Sequence, residues 1–282
     1  MRILRLVEEA RFLDAPGDKL QAAVSAATRP RPVSDLLHGA WLGHPLHPVL
    51  VHLPIGSFLS AALFDLLPGG ERAATTMVAA GTAGAVPAMA AGWTDWSQMS
   101  PERRRVGLAH AALNGVAVGL YAGSLVARLR GRTGLGKILA YAGLSAAGAG
   151  AYLGGHLSYA QAGGVNQAAP ETIRVPEEWT AIGSLADLPD GAPVVRTAGD
   201  VPLLVYRLGD QVTAMIERCS HETAPLGDGE VTGTGRDACV VCPWHGSTFR
   251  LVDGKALHGP AANDQPLLRT RVERGVVEVS SR

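Results

Sequence analysis

The chain has 282 residues, enough for two ordinary domains. Its formal charge is zero, so bulk charge points to neither a nucleic-acid partner nor an acidic substrate. Only 18% of its residues are charged, against about 25% in a typical soluble domain, and mean hydropathy is positive. Part of this chain is therefore expected to sit in a bilayer.

In chain order, residues 1–37 read as an amphipathic, mixed-charge helical segment along a membrane surface, broken by TRPRPV at Thr28–Val33. Residues 38–160 read as a four-helix transmembrane domain. Its apolar runs are Val49–Leu67, Ala73–Gly92, Val106–Ala127 and Ile138–Gly155, each 18 to 22 residues long. A bilayer core needs roughly 20 residues of helix, and the alanine and glycine in these runs allow close helix approach. Short connections make neighbouring helices antiparallel. Pro54 is expected to kink the first helix and free the carbonyl of Leu50. Asp65 reads as a helix-end residue satisfied by capping or loop hydrogen bonds.

An up-down-up-down bundle collects the start of helices one and three and the end of helices two and four on one face. That face receives His44, His47, His52, Trp93, Asp95, Trp96, His110, Asn114 and His156, with His38 just upstream. Ionisable groups in membrane spans are costly and usually functional, so His52, His110 and His156 are candidates for a haem or quinone site. Structural hydrogen bonding is the simpler alternative for them.

Residues 161–170 (QAGGVNQAAP) read as a flexible linker. From 171 to 282 the pattern changes to short β-branched runs such as PLLVYRLGD, VTAMIER and GVVEVS, punctuated by Gly and Asp, which predict a small antiparallel β domain. The expected fold class is thus α + β: a four-helix transmembrane bundle followed by a small all-β domain.

All three cysteines fall between Cys219 and Cys242, which is no disulfide framework. Cys219-Ser-His221 and, twenty residues on, Cys242-Pro-Trp-His245 offer two thiolates and two imidazoles. That inventory suits either a two-iron cluster of mixed ligation or a Cys₂His₂ zinc site. Cys239 reads as a buried strand residue.

CSHETAPLGDG and CPWHGSTFRLVDGK resemble the two ligand loops of the Rieske [2Fe-2S] ferredoxin family, and Gly259-Pro260-Ala261 resembles its proline loop. The resemblance covers residues 171–282. It implies Cys219 and Cys242 on the inner iron, His221 and His245 on the outer one, and Ser247 as a hydrogen-bond donor to the cluster. Respiratory Rieske proteins carry a further cysteine in each loop. Ala224 and Trp244 stand at those places here, and Phe249 replaces a tyrosine donor, which implies a reduction potential toward the low end of the Rieske range. The segment LLHGAWLGHPLHPVLVHLPIG also resembles an uncharacterised family of bacterial four-helix membrane proteins with an H-P-x-H-P motif.

The two resemblances imply a membrane-anchored electron carrier whose partners are the lipid bilayer and a redox protein or quinone. A regulatory cluster that senses rather than conducts is the alternative. No oxygenase catalytic domain is legible in the chain. With no export signal legible and no bridge in the cluster loops, the β domain is expected on the cytoplasmic side of the cell membrane.

Overall fold

The computed structural model describes residues 2–282; Met1, the first residue of the expected surface segment, lies outside them. The chain divides into two compact units. Residues 1–30 and 46–163 form the first, and residues 31–45 and 164–282 the second.

The first unit is helical. Helices α1 (Arg2–Glu8) and α2 (Asp14–Ala27) precede the bundle. Residues 31–38 form α3 (Arg31–His38), which belongs to the second unit. The bundle begins with α4 (Leu46–Leu50) and continues through α5 (His52–Leu66), α6 (Glu71–Trp96), α7 (Pro101–Leu129) and α8 (Thr133–Tyr159). The break between α4 and α5 falls at Val51, where Pro54 has no N–H to give the Leu50 carbonyl. All four expected apolar runs are helical. Three stretches, Leu46–Leu66, Glu71–Trp96 and Pro101–Leu129, are long and apolar enough to cross a membrane. The fourth, α8, is of similar length.

Helices α1 and α2 are clasped to the bundle by charge. Arg105 makes a two-pronged pair with Asp14 at 2.7 and 2.8 Å, and donates to the carbonyl of Glu8. Arg104 reaches Asp18 and Gln21, whose own amide donates to Ser97. The Arg105 guanidinium holds the Asp14 carboxyl below the usual carboxylate range. Two-pronged arginine–carboxylate pairs fix geometry as well as charge.

Inside the bundle, Phe58 stacks on Tyr121 at 3.6 Å between ring centres. Gly81 and Gly143 lie against these two rings, where a β-carbon would collide with Phe58 or press on Tyr121. Asp65 is not a surface cap, as its sequence position suggested. It is buried and paired with Arg128, Nη1 to Oδ1 at 2.9 Å, with Nη2 on Oδ2. Arg128 Nε donates to Ser124, and Lys137 donates to the Asp65 carbonyl. The charge was legible, but the partner lies on α7.

The second unit holds two antiparallel sheets. The larger uses β1 (Thr180–Ser184), β2 (Pro193–Ala198), β3 (Val201–Leu208), β4 (Gln211–Ile216), β9 (Leu267–Glu273) and β10 (Val276–Ser280), in the order β1-β10-β9-β4-β3-β2. The smaller uses β5 (Glu230–Thr232), β6 (Cys239–Val241), β7 (Thr248–Arg250) and β8 (Ala256–His258), in sequence order. Side chains alternate across a strand, and β3 is buried on both faces. Leu203 and Val205 enter one core with Ile182 and Val279. Leu204 and Tyr206 enter the other with Phe249 and Leu226.

Residues 164–170 are not a free linker. Ala168 is buried in the first of these cores, and the Gln167 N–H donates to the Ser220 carbonyl.

Candidate metal centre

The two candidate loops fold alike. After β4, the Cys219 N–H donates to the Ala224 carbonyl at 2.8 Å, and the Thr223 N–H returns to the Cys219 carbonyl at 2.9 Å. Between β6 and β7, the Cys242 N–H donates to Ser247 at 2.7 Å, and the Gly246 N–H returns to Cys242 at 3.0 Å. The fifth residue of each knuckle is left-handed, Thr223 at φ 60° and Gly246 at φ 76°. Glycine takes that conformation without cost, whereas threonine does not.

Curling the chain this way turns amide hydrogens toward the sulfur. The N–H groups of His221 and Glu222 are directed at Cys219, and those of Trp244 and His245 at Cys242. Both thiols are buried, at 0% and 3% exposed. The hydrogen bond from Cys219 brings Cys242 down to about 6, with the two amides adding to it. The same neighbour, together with burial, pushes Cys219 up.

The imidazoles lie nearer the surface than the thiols. His221 and His245 are half-buried, with ring centres 5.0 Å apart and planes at 89°. Burial pushes the His245 ring toward its neutral form, the form a metal ligand requires. Its Nδ1 is buried and meets no hydrogen-bond partner among the described residues. Trp244 lies beside this ring and is 57% exposed.

A zinc ion would need its four donors around one point. Among the described residues no three His, Cys, Asp or Glu side chains form such a group. The two thiols form one close pair and the two imidazoles another, a pairing that suits mixed ligation of two irons.

A third loop, after β8, supports the first two. Ser247 is fully buried and accepts the Ala261 N–H at 2.9 Å, leaving its own hydroxyl proton to donate. Gln265 accepts the Ser220 N–H at 3.0 Å and donates to the carbonyls of Ile216 and Arg218, both at 2.6 Å. The Asp35 carboxylate, from α3, sits 2.7 Å from His258 Nδ1 and accepts the Gly259 N–H at 3.0 Å. His38, one turn along α3, is buried against Gly259. Nothing in the sequence pattern singles out Gln265 or Asp35. Cys239 is a buried β6 residue, its thiol pushed up by burial.

Replacing Gln265 with alanine strands two buried backbone groups, the Ser220 N–H and the Ile216 carbonyl, each costing about 1–3 kcal/mol. The expected result is a lower unfolding temperature and faster iron loss on heating, read by calorimetry and visible absorbance.

The helical candidates are placed differently. His52 Nδ1 lies 3.2 Å from the Val49 carbonyl of its own chain turn. His156 Nε2 pairs with Glu8 at 2.8 Å. His110 Nδ1 lies 2.8 Å from the Gly150 carbonyl, and its neighbouring ring is that of His47, 6.4 Å away. No recorded contact among the described residues joins His52, His110 and His156.

Two antiparallel sheets with paired thiols and paired imidazoles on matched loops define an iron–sulfur protein of the Rieske class. Residues 178–272 match the Rieske [2Fe-2S] domain family, and residues 43–167 match a family described as predicted membrane protein, DUF2231. The chain is similar to the anthranilate 1,2-dioxygenase ferredoxin subunit of Burkholderia cepacia, at 33% identity over 103 residues, 36% of this chain and 92% of the relative. It is similar to ferredoxin CarAc of Metapseudomonas resinovorans at 30% identity, again over 36% and 92%. Among solved structures, the ferredoxin of carbazole 1,9a-dioxygenase from Nocardioides aromaticivorans is 23% identical with a TM-score of 0.34, over 37% of this chain and 98% of that one. The chain belongs to the Rieske [2Fe-2S] family, and its cofactor is a [2Fe-2S] cluster. A DUF2231 membrane domain occupies the same polypeptide.

Proposed function

We propose that this protein is a membrane-anchored one-electron carrier. Cys219 and Cys242 hold the inner iron, and His221 and His245 hold the outer one. The observation that carries this reading is the pair of like-folded knuckles, which present buried thiols flanked by amide hydrogens and half-buried imidazoles beyond them. When bound, the cluster takes up and gives back a single electron.

The chain's own residues set the conditions for that exchange. Amide hydrogens directed at the sulfurs favour added negative charge. Ser247 adds one hydroxyl donor, and Phe249 supplies none, which supports a potential near the low end of the Rieske range, about −150 mV. The imidazole pair lies closest to solvent, so the electron enters and leaves on that side. One named relative is the ferredoxin subunit of a dioxygenase and the other a ferredoxin, which supports a redox protein partner of oxygenase or reductase type; a quinone is the membrane counterpart. Three apolar helices support the anchor, and the β domain is assigned to the cytoplasmic side.

The test is a redox titration of the detergent-purified chain followed by mixing of the reduced form with decylubiquinone or with an oxygenase component. A reversible one-electron wave near the low end of the range, and reoxidation within seconds by one of the two acceptors, is expected. A cluster that neither acceptor reoxidises would overturn the carrier reading in favour of sensing.

A further inference from the structure

The helical unit carries a second ordered cluster of imidazoles, and its geometry follows from a hidden repeat. Asp65 and Arg128, which form the buried ion pair, are 63 residues apart. The same offset relates Phe58 to Tyr121, which stack, and His47 to His110, whose ring planes stand at 83° with centres 6.4 Å apart. Residues at equivalent places in two helix pairs therefore meet each other at three successive levels. In a closed bundle of two helix pairs, contacts of that kind are what a two-fold axis between the pairs gives, since a residue and its copy touch where the axis passes between them. The glycines of the second helix in each pair repeat as well, at an offset of 62. Gly81 lies beside Phe58 and Gly143 beside Tyr121, while Gly92 lies beside His47 and Gly154 beside His110. The helical unit is thus a duplicated hairpin, α4–α6 and α7–α8. A two-helix repeat returns the chain to its starting face, so the axis runs along the bundle.

At the histidine level both copies are built alike. His47 Nδ1 lies 2.8 Å from the Ala88 carbonyl, and His110 Nδ1 lies 2.8 Å from the Gly150 carbonyl. A carbonyl can only accept, so each Nδ1 carries the proton and each Nε2 keeps its lone pair. Each ring rests where the neighbouring helix has a glycine one turn beyond that carbonyl. A β-carbon on Gly92 would stand 2.8 Å from His47 Nδ1, and one on Gly154 would stand 3.0 Å from His110 Cε1. Asn114 Nδ2 donates to the His110 carbonyl at 2.9 Å and lies 3.3 Å from His110 Nε2, a place that a metal bound at that nitrogen would take over. Holding Nδ1–H on a backbone carbonyl is the usual way a protein orients an imidazole whose Nε2 binds metal. With metal–nitrogen bonds of about 2.0–2.1 Å, two imidazoles on opposite sides of one metal have centres roughly 6 Å apart. The observed separation is 6.4 Å.

We propose that His47 and His110 are a bis-imidazole ligand pair for a transition metal on the axis of the helical unit, supplied either as haem iron or as a free ion. The site is independent of the cluster, so its failure leaves the carrier reading standing.

The test uses the full chain with a non-histidine affinity tag, purified in detergent with its cluster intact and stripped of loosely held metal. Haemin and Cu(II) are added separately. The expected result is one equivalent bound in one arm: a low-spin optical spectrum with haemin, or copper EPR with hyperfine splitting from two nitrogens. His47→Ala and His110→Ala each weaken that binding tenfold or more. Gly92→Ala, which pushes the ring off its carbonyl, weakens it about 10–100-fold, while His52→Ala leaves it unchanged. The elution profile and the cluster EPR intensity report that each variant has folded, and His47→Gln replaces any alanine variant that has not. Absence of micromolar binding in both arms, or binding that survives the loss of either ring, overturns the proposal.

Discussion

Replacing Cys242 with alanine removes the cluster altogether: visible absorbance and the reduced-state EPR signal fall to background, and iron per chain drops with them. Cys242 is a buried thiol lowered by its contact with Cys219 and by the amides of Trp244 and His245, an environment that favours the thiolate iron requires. Alanine leaves three ligands and an open inner iron, while the amide hydrogens of Trp244 and His245 lose the acceptor they are directed at. Unpaired amides in a buried loop cost about 1–3 kcal/mol each, so the knuckle loosens as well. His245→Ala is milder in its structural effect, because its ring is half-buried and the backbone bonds of its loop remain. It still removes one of two ligands from the outer iron. Iron and acid-labile sulfide assays beside circular dichroism separate cluster loss from unfolding. Cys239→Ala, which removes a β6 thiol outside both loops, keeps full cluster occupancy.

Asp65→Ala costs the helical unit about 3–5 kcal/mol, the usual penalty for leaving a buried charge without its partner. The Asp65 and Arg128 side chains are at most 1% exposed. Removing the carboxylate strands a guanidinium that can neither lose its proton nor reach water. Replacing both residues by leucine restores most of the lost stability, because apolar packing replaces a pair that was itself costly to bury. Thermal denaturation of the purified chain in one detergent, followed by helix circular dichroism, reads both effects. Equal stability of Asp65→Ala and the parent would contradict the burial of this pair.

The parts of the site that the sequence made legible are those whose chemistry needs residues close together in the chain. Cys219 and His221, or Cys242 and His245, must sit on one short loop to reach adjacent irons, so their spacing is visible without a fold. Gln265 and Asp35 act across long stretches of chain, on Ser220 and on His258. A polar side chain that satisfies distant backbone groups leaves no local pattern. In the second unit, strand β9 was similarly hidden: Arg269, Arg271 and Glu273 give it a charged surface, and Arg269 and Arg271 lie over Trp179. The helical unit shows the same limit. Counting helices up and down put seven bundle residues from His44 to His156 on one face together with the flanking tryptophans, but which rings meet depends on helix rotation. That rotation pairs His110 with His47, leaves His52 on its own helix turn and gives His156 to Glu8.

The most direct measurement is a Mössbauer spectrum of the ⁵⁷Fe-enriched full chain, made anaerobically and reduced by one electron. Two unlike iron environments in equal amount are expected, the ferrous one carrying nitrogen ligands and the ferric one only sulfur. A single iron environment, or a protein that fills these loops with zinc and no sulfide, would contradict the assignment of two thiolates to one iron and two imidazoles to the other.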